Sequence, residues 1–216
     1  MGEQQIARAD ETTDPAVYVV SYVEVMPASA TEAATLLRQY GEASRADAGL
    51  MGLEVLQQCG RPDHFAIVES WQDQQSFEAH GGSAHTRAMH EGLETLRSSP
   101  YDERLHQGFA LGAVPPARVA GAIYAVTHAD AIPPAKDGAM VLLKQLAEMS
   151  RHDDGSVRFD VLQQRSRLNH FTIVEVWRDQ KALEAHVMVA HTRQFREQFQ
   201  PMSGSLYDER LYQALD

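Results

Sequence analysis

Two histidine pairs recur at one spacing, His80 with His85 and His186 with His191. Neutral imidazole near pH 7 is the usual proton acceptor in general base chemistry. An arginine follows each pair, Arg87 or Arg193, and a guanidinium at a pocket mouth suits an anion. Upstream, Glu69 and Trp71 share one strand face with Phe65 and Ile67, as Glu175 and Trp177 do with Phe171 and Ile173. An indole suits a flat aromatic substrate, and a carboxylate buried beside it has its pKa raised toward a value useful for a general base. Each residue type also has a structural use: tryptophan as sheet core, glutamate in an ion pair with arginine, arginine as a solvated helix residue.

The catalytic candidates are therefore Glu69, His80, His85, Arg87, Glu175, His186, His191 and Arg193. Trp71 and Trp177 are the substrate-binding candidates, together with Tyr22 and its counterpart His128, a position where the two copies differ. No metal is expected. A spacing of five on an unbroken helix separates side chains by roughly 140°, so chelation by a histidine pair needs a helix break. Gly81 and Gly82 supply one between the first pair only, since Val187 and Met188 stand at those places in the second.

These residues recur because the chain is duplicated. At an offset of about 106 residues, 16–109 aligns with 122–215 without a gap, and roughly forty of about ninety-four pairs are identical. Each copy opens with a β-branched run ended by Pro27 or Pro133, which reads as a strand. A helix follows, with Ala33, Leu36, Leu37 and Tyr40 at helical spacing and Gly49 or Gly155 where a C-terminal cap belongs. Two strands then flank a turn-rich connector, Gly60 to Asp63 or Arg165 to Asn169, and read as a hairpin. A second helical region carries the histidines and leads to a last strand beginning at YDERL.

The order β-α-β-β-α-β is the ferredoxin-like arrangement, an antiparallel sheet with helices on one face, so the fold class is α+β. The open face is most simply hidden against the sheet of the other copy, which duplication holds at high effective concentration. The expected organisation is a polar N-terminal tail (1–15), a first repeat (16–109), a linker containing Pro115 and Pro116 (110–118) and a second repeat (119–216).

Composition limits the partners. With 19 Lys and Arg against 30 Asp and Glu, the net charge of −11 repels phosphate backbones and anionic lipid, so neither nucleic acid nor a membrane is expected. No apolar run reaches the ~18–20 residues a bilayer span requires. The first fifteen residues lack an apolar core of the signal-peptide kind, which points to the cytoplasm, or to the periplasm if a leader has been removed. The single cysteine, Cys59, reads as a small strand residue and excludes an internal disulfide.

The segments HFAIVESW followed by DQ, EAHGGSAHTRAM and EAHVMVAHTRQF, and the closing YDERL strands resemble the antibiotic biosynthesis monooxygenase domain, closest to its quinol monooxygenase branch. The resemblance covers both repeats. Members of that family form a dimeric α+β barrel from two single-domain chains, so this chain resembles a fused dimer, with a further homodimer left open. The resemblance also implies chemistry without a cofactor, in which a deprotonated hydroquinone or polyphenol gives an electron directly to O2 and the protein supplies a dry pocket and a proton acceptor. The expected partners are thus a small aromatic molecule and O2. Two alternatives stay open: a small-molecule binding or stress-response module without turnover, and haem binding or degradation. Haem-degrading relatives place an axial histidine roughly where His90 stands, but the second copy has Arg196 there and their first-strand asparagine is missing.

Overall fold

The computed structural model describes residues 14–113 and 118–215. Most of the expected N-terminal tail and the centre of the expected linker lie outside these residues. The first half comprises β1 (Val17–Glu24), α1 (Ala30–Ser44), β2 (Leu50–Gln58), β3 (His64–Trp71), α2 (Gln74–Gly81), α3 (Ala84–Glu94) and β4 (Asp102–Ala110). The second repeats it as β5 (Ile123–Asp130), α4 (Lys136–Ser150), β6 (Ser156–Gln164), β7 (His170–Trp177), α5 (Gln180–Met188), α6 (Ala190–Phe199) and β8 (Asp208–Ala214). The chain thus consists of two ferredoxin-like β-α-β-β-α-β units, with the second helix of each split in two.

The eight strands close into one barrel in the order β1-β3-β2-β8-β5-β7-β6-β4. All pairings are antiparallel, and two cross between halves: β4 on β6, with Gln107 opposite Gln163, and β2 on β8, with Gln57 opposite Gln213. These two seams pair the edges that each four-stranded sheet would otherwise leave exposed. Alternation along the strands separates two cores. Tyr18, Val20, Tyr22, Val68, Val126, Val174 and Tyr212 fill the barrel interior. Phe65, Ile67, Phe171, Ile173 and Trp177 point outward and pack under the helices with Leu37, Leu143 and Phe195. No helix among the described residues is long and apolar enough to cross a membrane.

Two local expectations change. The first helix ends at Ser44, capped by Arg45 in right-handed conformation, so Gly49 is not its cap. Gly49 and Gly155 sit instead in the turns entering β2 and β6, at φ +80 and +83. A Cβ on Gly49 would collide with the Ser76 side chain, and one on Gly155 would lie 2.5 Å from Ala182 Cβ. Gly49→Ala and Gly155→Ala are each expected to cost at least about 1–2 kcal/mol from the left-handed backbone alone, read as a lowered urea midpoint. Cys59, expected on a strand, follows the end of β2 and is exposed.

Candidate functional site

The layer between sheet and helices gathers most of the candidate residues. Trp71 and Trp177 are completely buried at the ends of β3 and β7. Each packs on a histidine: Trp71 on His80 and Trp177 on His186, both with ring centroids 4.5 Å apart. The indoles are walls of the core, closed to solvent on all sides. Glu175 accepts a hydrogen bond from Trp177 Nε1 at 2.8 Å, and burial raises its pKa to about 8 despite that bond. Burial raises Glu69 to about 7, opposed by a 2.5 Å hydrogen bond donated by Tyr40 Oη. Tyr40 Oη also lies 2.8 Å from His80 Nε2. A leucine, Leu146, holds the place of Tyr40 in the second half, and there Glu175 and His186 stand 3.9 Å apart.

The histidine pairs come together through a break in the helix, and the break occurs in both halves. Ser83, at φ −70 and ψ 159, separates α2 from α3 and caps α3 by accepting from Thr86 N at 3.2 Å. Val189 takes the same extended conformation, φ −70 and ψ 157, without a side-chain cap. The expectation that Gly81 and Gly82 permit a break in the first copy alone is therefore corrected: neither glycine has positive φ, and one extended residue suffices. An aspartate that the sequence reading did not select completes each cluster. Asp47 Oδ2 bonds His80 Nδ1 at 2.6 Å and His85 Nε2 at 2.9 Å. Asp153 Oδ2 lies 2.7 Å from His186 Nδ1 and 3.1 Å from His191 Nε2. Both aspartates follow the C-terminus of the first helix of their half, and their recurrence at the repeat offset was the available signal.

The remaining candidates are placed elsewhere. Arg87 and Arg193 are on exposed helix faces, Arg87 bonding back to Gly82 O at 2.5 Å. Tyr22 and His128 project to the opposite face of the sheet, into the barrel, where their rings meet at 5.3 Å. Arg104 and Arg210 lie 5.1 and 5.4 Å from the Tyr22 ring centroid.

A cavity of about 580 Å³ opens between α6 and β8 in the second half, and none of the sequence candidates lines it. Its walls include Phe195, Phe199, Tyr207 and Leu206, the last 90% exposed at the mouth. Its polar groups include Arg196, paired to Glu209 at 3.0 Å and 5.6 Å from the Tyr207 ring centroid. Arg196 Nε is buried without a hydrogen-bond partner among the described residues. Arg196 and Glu209 both act electrostatically on Glu175, which ties the cavity to the buried carboxyl beneath it. In the first half His90 replaces Arg196 and stands against Tyr101 at 4.8 Å, while Arg97, paired to Glu94, replaces Ser203. The two halves thus present different chemistry at equivalent places. Tyr207 and Glu209 belong to the recurring YDERL segment, the signal by which the cavity could have been found.

A closed barrel of two fused ferredoxin-like units, with an apolar cavity under its helices, defines a small-molecule α+β barrel of the dimeric type held within one chain. The chain belongs to the antibiotic biosynthesis monooxygenase family, whose sequence model matches residues 16–92 and 122–198. Three solved structures are similar over nearly their whole length. A provisionally assigned monooxygenase of Fusobacterium nucleatum subsp. nucleatum ATCC 25586 matches with TM-score 0.85 at 15% identity, covering 93% of both chains. One of Lactobacillus acidophilus NCFM matches at 0.77 and 11%, covering 94% of this chain and 95% of the other. An anthrone oxidase-like protein matches at 0.70 and 13%, covering 93% and 92%. At these identities the likeness is one of fold. No curated protein matches the sequence.

Proposed function

We propose that this protein oxidises an electron-rich aromatic of the hydroquinone or polyphenol class with O2, without a resident cofactor, in the cavity between α6 and β8. The observation that carries the reading is an apolar, aromatic-walled cavity that contains the ion pair of Arg196 and Glu209. Phe195, Phe199 and Tyr207 suit a planar ring. Glu209 is the proton acceptor, and Arg196 holds the phenolate that results, so the ring becomes electron-rich enough to reduce O2. For a hydroquinone the balance is two electrons and two protons from the substrate to O2, giving quinone and hydrogen peroxide. If the reduced oxygen instead bonds to a ring carbon, one oxygen atom stays on the ring and the other leaves as water. His80, His85, His186 and His191, the proton acceptors expected from sequence, cluster about Asp47 and Asp153 and do not line this cavity, so they take no part in that step.

The test is O2 uptake by the purified chain against a hydroquinone panel. Arg196→Met is expected to lower kcat/KM roughly tenfold to a hundredfold, as loss of one stabilising donor does, with Glu197→Gln on the exposed face of α6 unchanged. Uptake no faster than the substrates' own autoxidation would overturn the enzymatic reading and leave a binding module.

A further inference from the structure

The His–His–Asp clusters take no part in the cavity. In the first, one nitrogen each of His80 and His85 and an oxygen of Asp47 lie within 4.8 Å of one another, and the same holds for His186, His191 and Asp153. We propose that each cluster is a binding site for a divalent transition-metal cation of the zinc, cobalt and nickel class, two sites per chain, each held by two imidazole nitrogens and one carboxylate oxygen.

Four observations support it. One nitrogen of each imidazole of a pair lies close to the same carboxylate oxygen, at 2.6–2.9 Å in the first cluster and 2.7–3.1 Å in the second. A tetrahedral cation at ~2.0–2.2 Å from each ligand spreads its ligand atoms to roughly 3.4 Å, which a small retreat of the aspartate, set in a turn, provides. The far nitrogen of each inner histidine is held by hydroxyls, His80 Nε2 by Tyr40 Oη at 2.8 Å and Thr86 Oγ1 at 3.2 Å, and His186 Nε2 by Thr192 Oγ1 alone at 3.3 Å. A hydroxyl there accepts the Nε2 proton and leaves the Nδ1 lone pair facing the cluster, the usual outer-shell support of a metal-bound imidazole.

His191 Nε2 is buried and has no hydrogen bond among the described residues, because the Asp153 oxygen 3.1 Å away is badly aligned with it. A cation between the two satisfies both. Finally, Asp47 and His85 keep side-chain exposures of 20% and 23%, so water has access to a fourth position. Two nitrogens and one oxygen select the zinc class over magnesium or calcium, which prefer oxygen alone. A bound ion would clip the turn after α1 or α4 to the helix break, and its effect would be on stability.

Cobalt(II) titration of the chelator-treated full chain, followed by calorimetry and by the visible absorption of the ion, tests this. Two equivalents are expected, with a melting temperature raised by several degrees at saturation. Asp47→Asn and Asp153→Asn should each reduce the count to one, and together they should abolish it. If an aspartate variant does not fold, His85→Gln and His191→Gln, which remove the less buried ligands, should weaken binding at their own site about 10–100-fold. No binding at millimolar cobalt or zinc, or a stoichiometry that survives both pairs of substitutions, overturns the proposal. Because none of these residues lines the cavity, oxidase activity and metal binding stand or fall separately.

Discussion

Trp177→Ala is expected to lower the unfolding free energy by about 3–5 kcal/mol, the range for removing a large aromatic from a close-packed core. The indole is fully buried and packs on His186. Its loss also strips Glu175 of its 2.8 Å donor, leaving a buried carboxyl with less support. Trp71 provides the internal control. It is equally buried and lies near enough to Glu69 to favour the charged carboxylate, but its Nε1 closes no hydrogen bond, and the firm donor to Glu69 is Tyr40 Oη at 2.5 Å. Trp177→Phe should therefore cost about 1 kcal/mol more than Trp71→Phe, the net worth of one buried hydrogen bond. Urea denaturation decides between this role and the substrate-wall role expected from sequence. Variants of unchanged stability but raised KM would return both tryptophans to the binding site.

The second large effect lies inside the barrel and concerns acid. His106 and His128 are buried there, and burial, reinforced by the Arg104 charge, depresses their pKa values to about 4 and about 3. His128 Nε2 accepts a hydrogen bond from Arg104 Nη1 at 2.9 Å, which only a neutral ring does. Below about pH 6.5 the unfolded chain binds a proton at each position that the folded chain refuses, so stability is lost as pH falls through that value. The loss approaches about 1.4 kcal/mol per pH unit for each group. Glu69 and Glu175 act in the opposite sense, because their raised values make stability fall as pH rises from about 4.5 toward 7 and 8. The two contributions oppose each other between pH 5 and 6.5, so the comparison must be with the parent chain. From pH 6.5 to 5, the stability of His128→Asn relative to the parent should improve by about 1.5–2 kcal/mol, and that of His106→Gln likewise. A difference that stays constant with pH would show that these rings titrate normally.

Much of this was present in the linear pattern. The offset of the repeats, the β-branched runs, and the Pro27 and Pro133 stops dictate the β-α-β-β-α-β order, because period and breaker residues act locally. An open sheet face doubled within one chain dictates pairing of the two halves, and the family follows from segments such as HFAIVESW and YDERL. Tertiary structure decided the rest. Tyr40 meets Glu69 across 29 positions and His80 meets Asp47 across 33, through the particular angle at which α1 crosses β3 and α2. The break that joins the histidines depends on one extended residue, Ser83 or Val189, and carries no glycine signature. Tyr22 and His128 were separated from the tryptophans by the alternation of β1 and β5, whose buried faces both look apolar in sequence. The cavity lies at Arg196 and Glu209, with Ser203 in its wall, at places where the other half has His90 and Arg97 in its sequence. Secondary structure answers to periodicity along the chain, but a site answers to side-chain directions within an ångström or two, and packing between distant segments sets those.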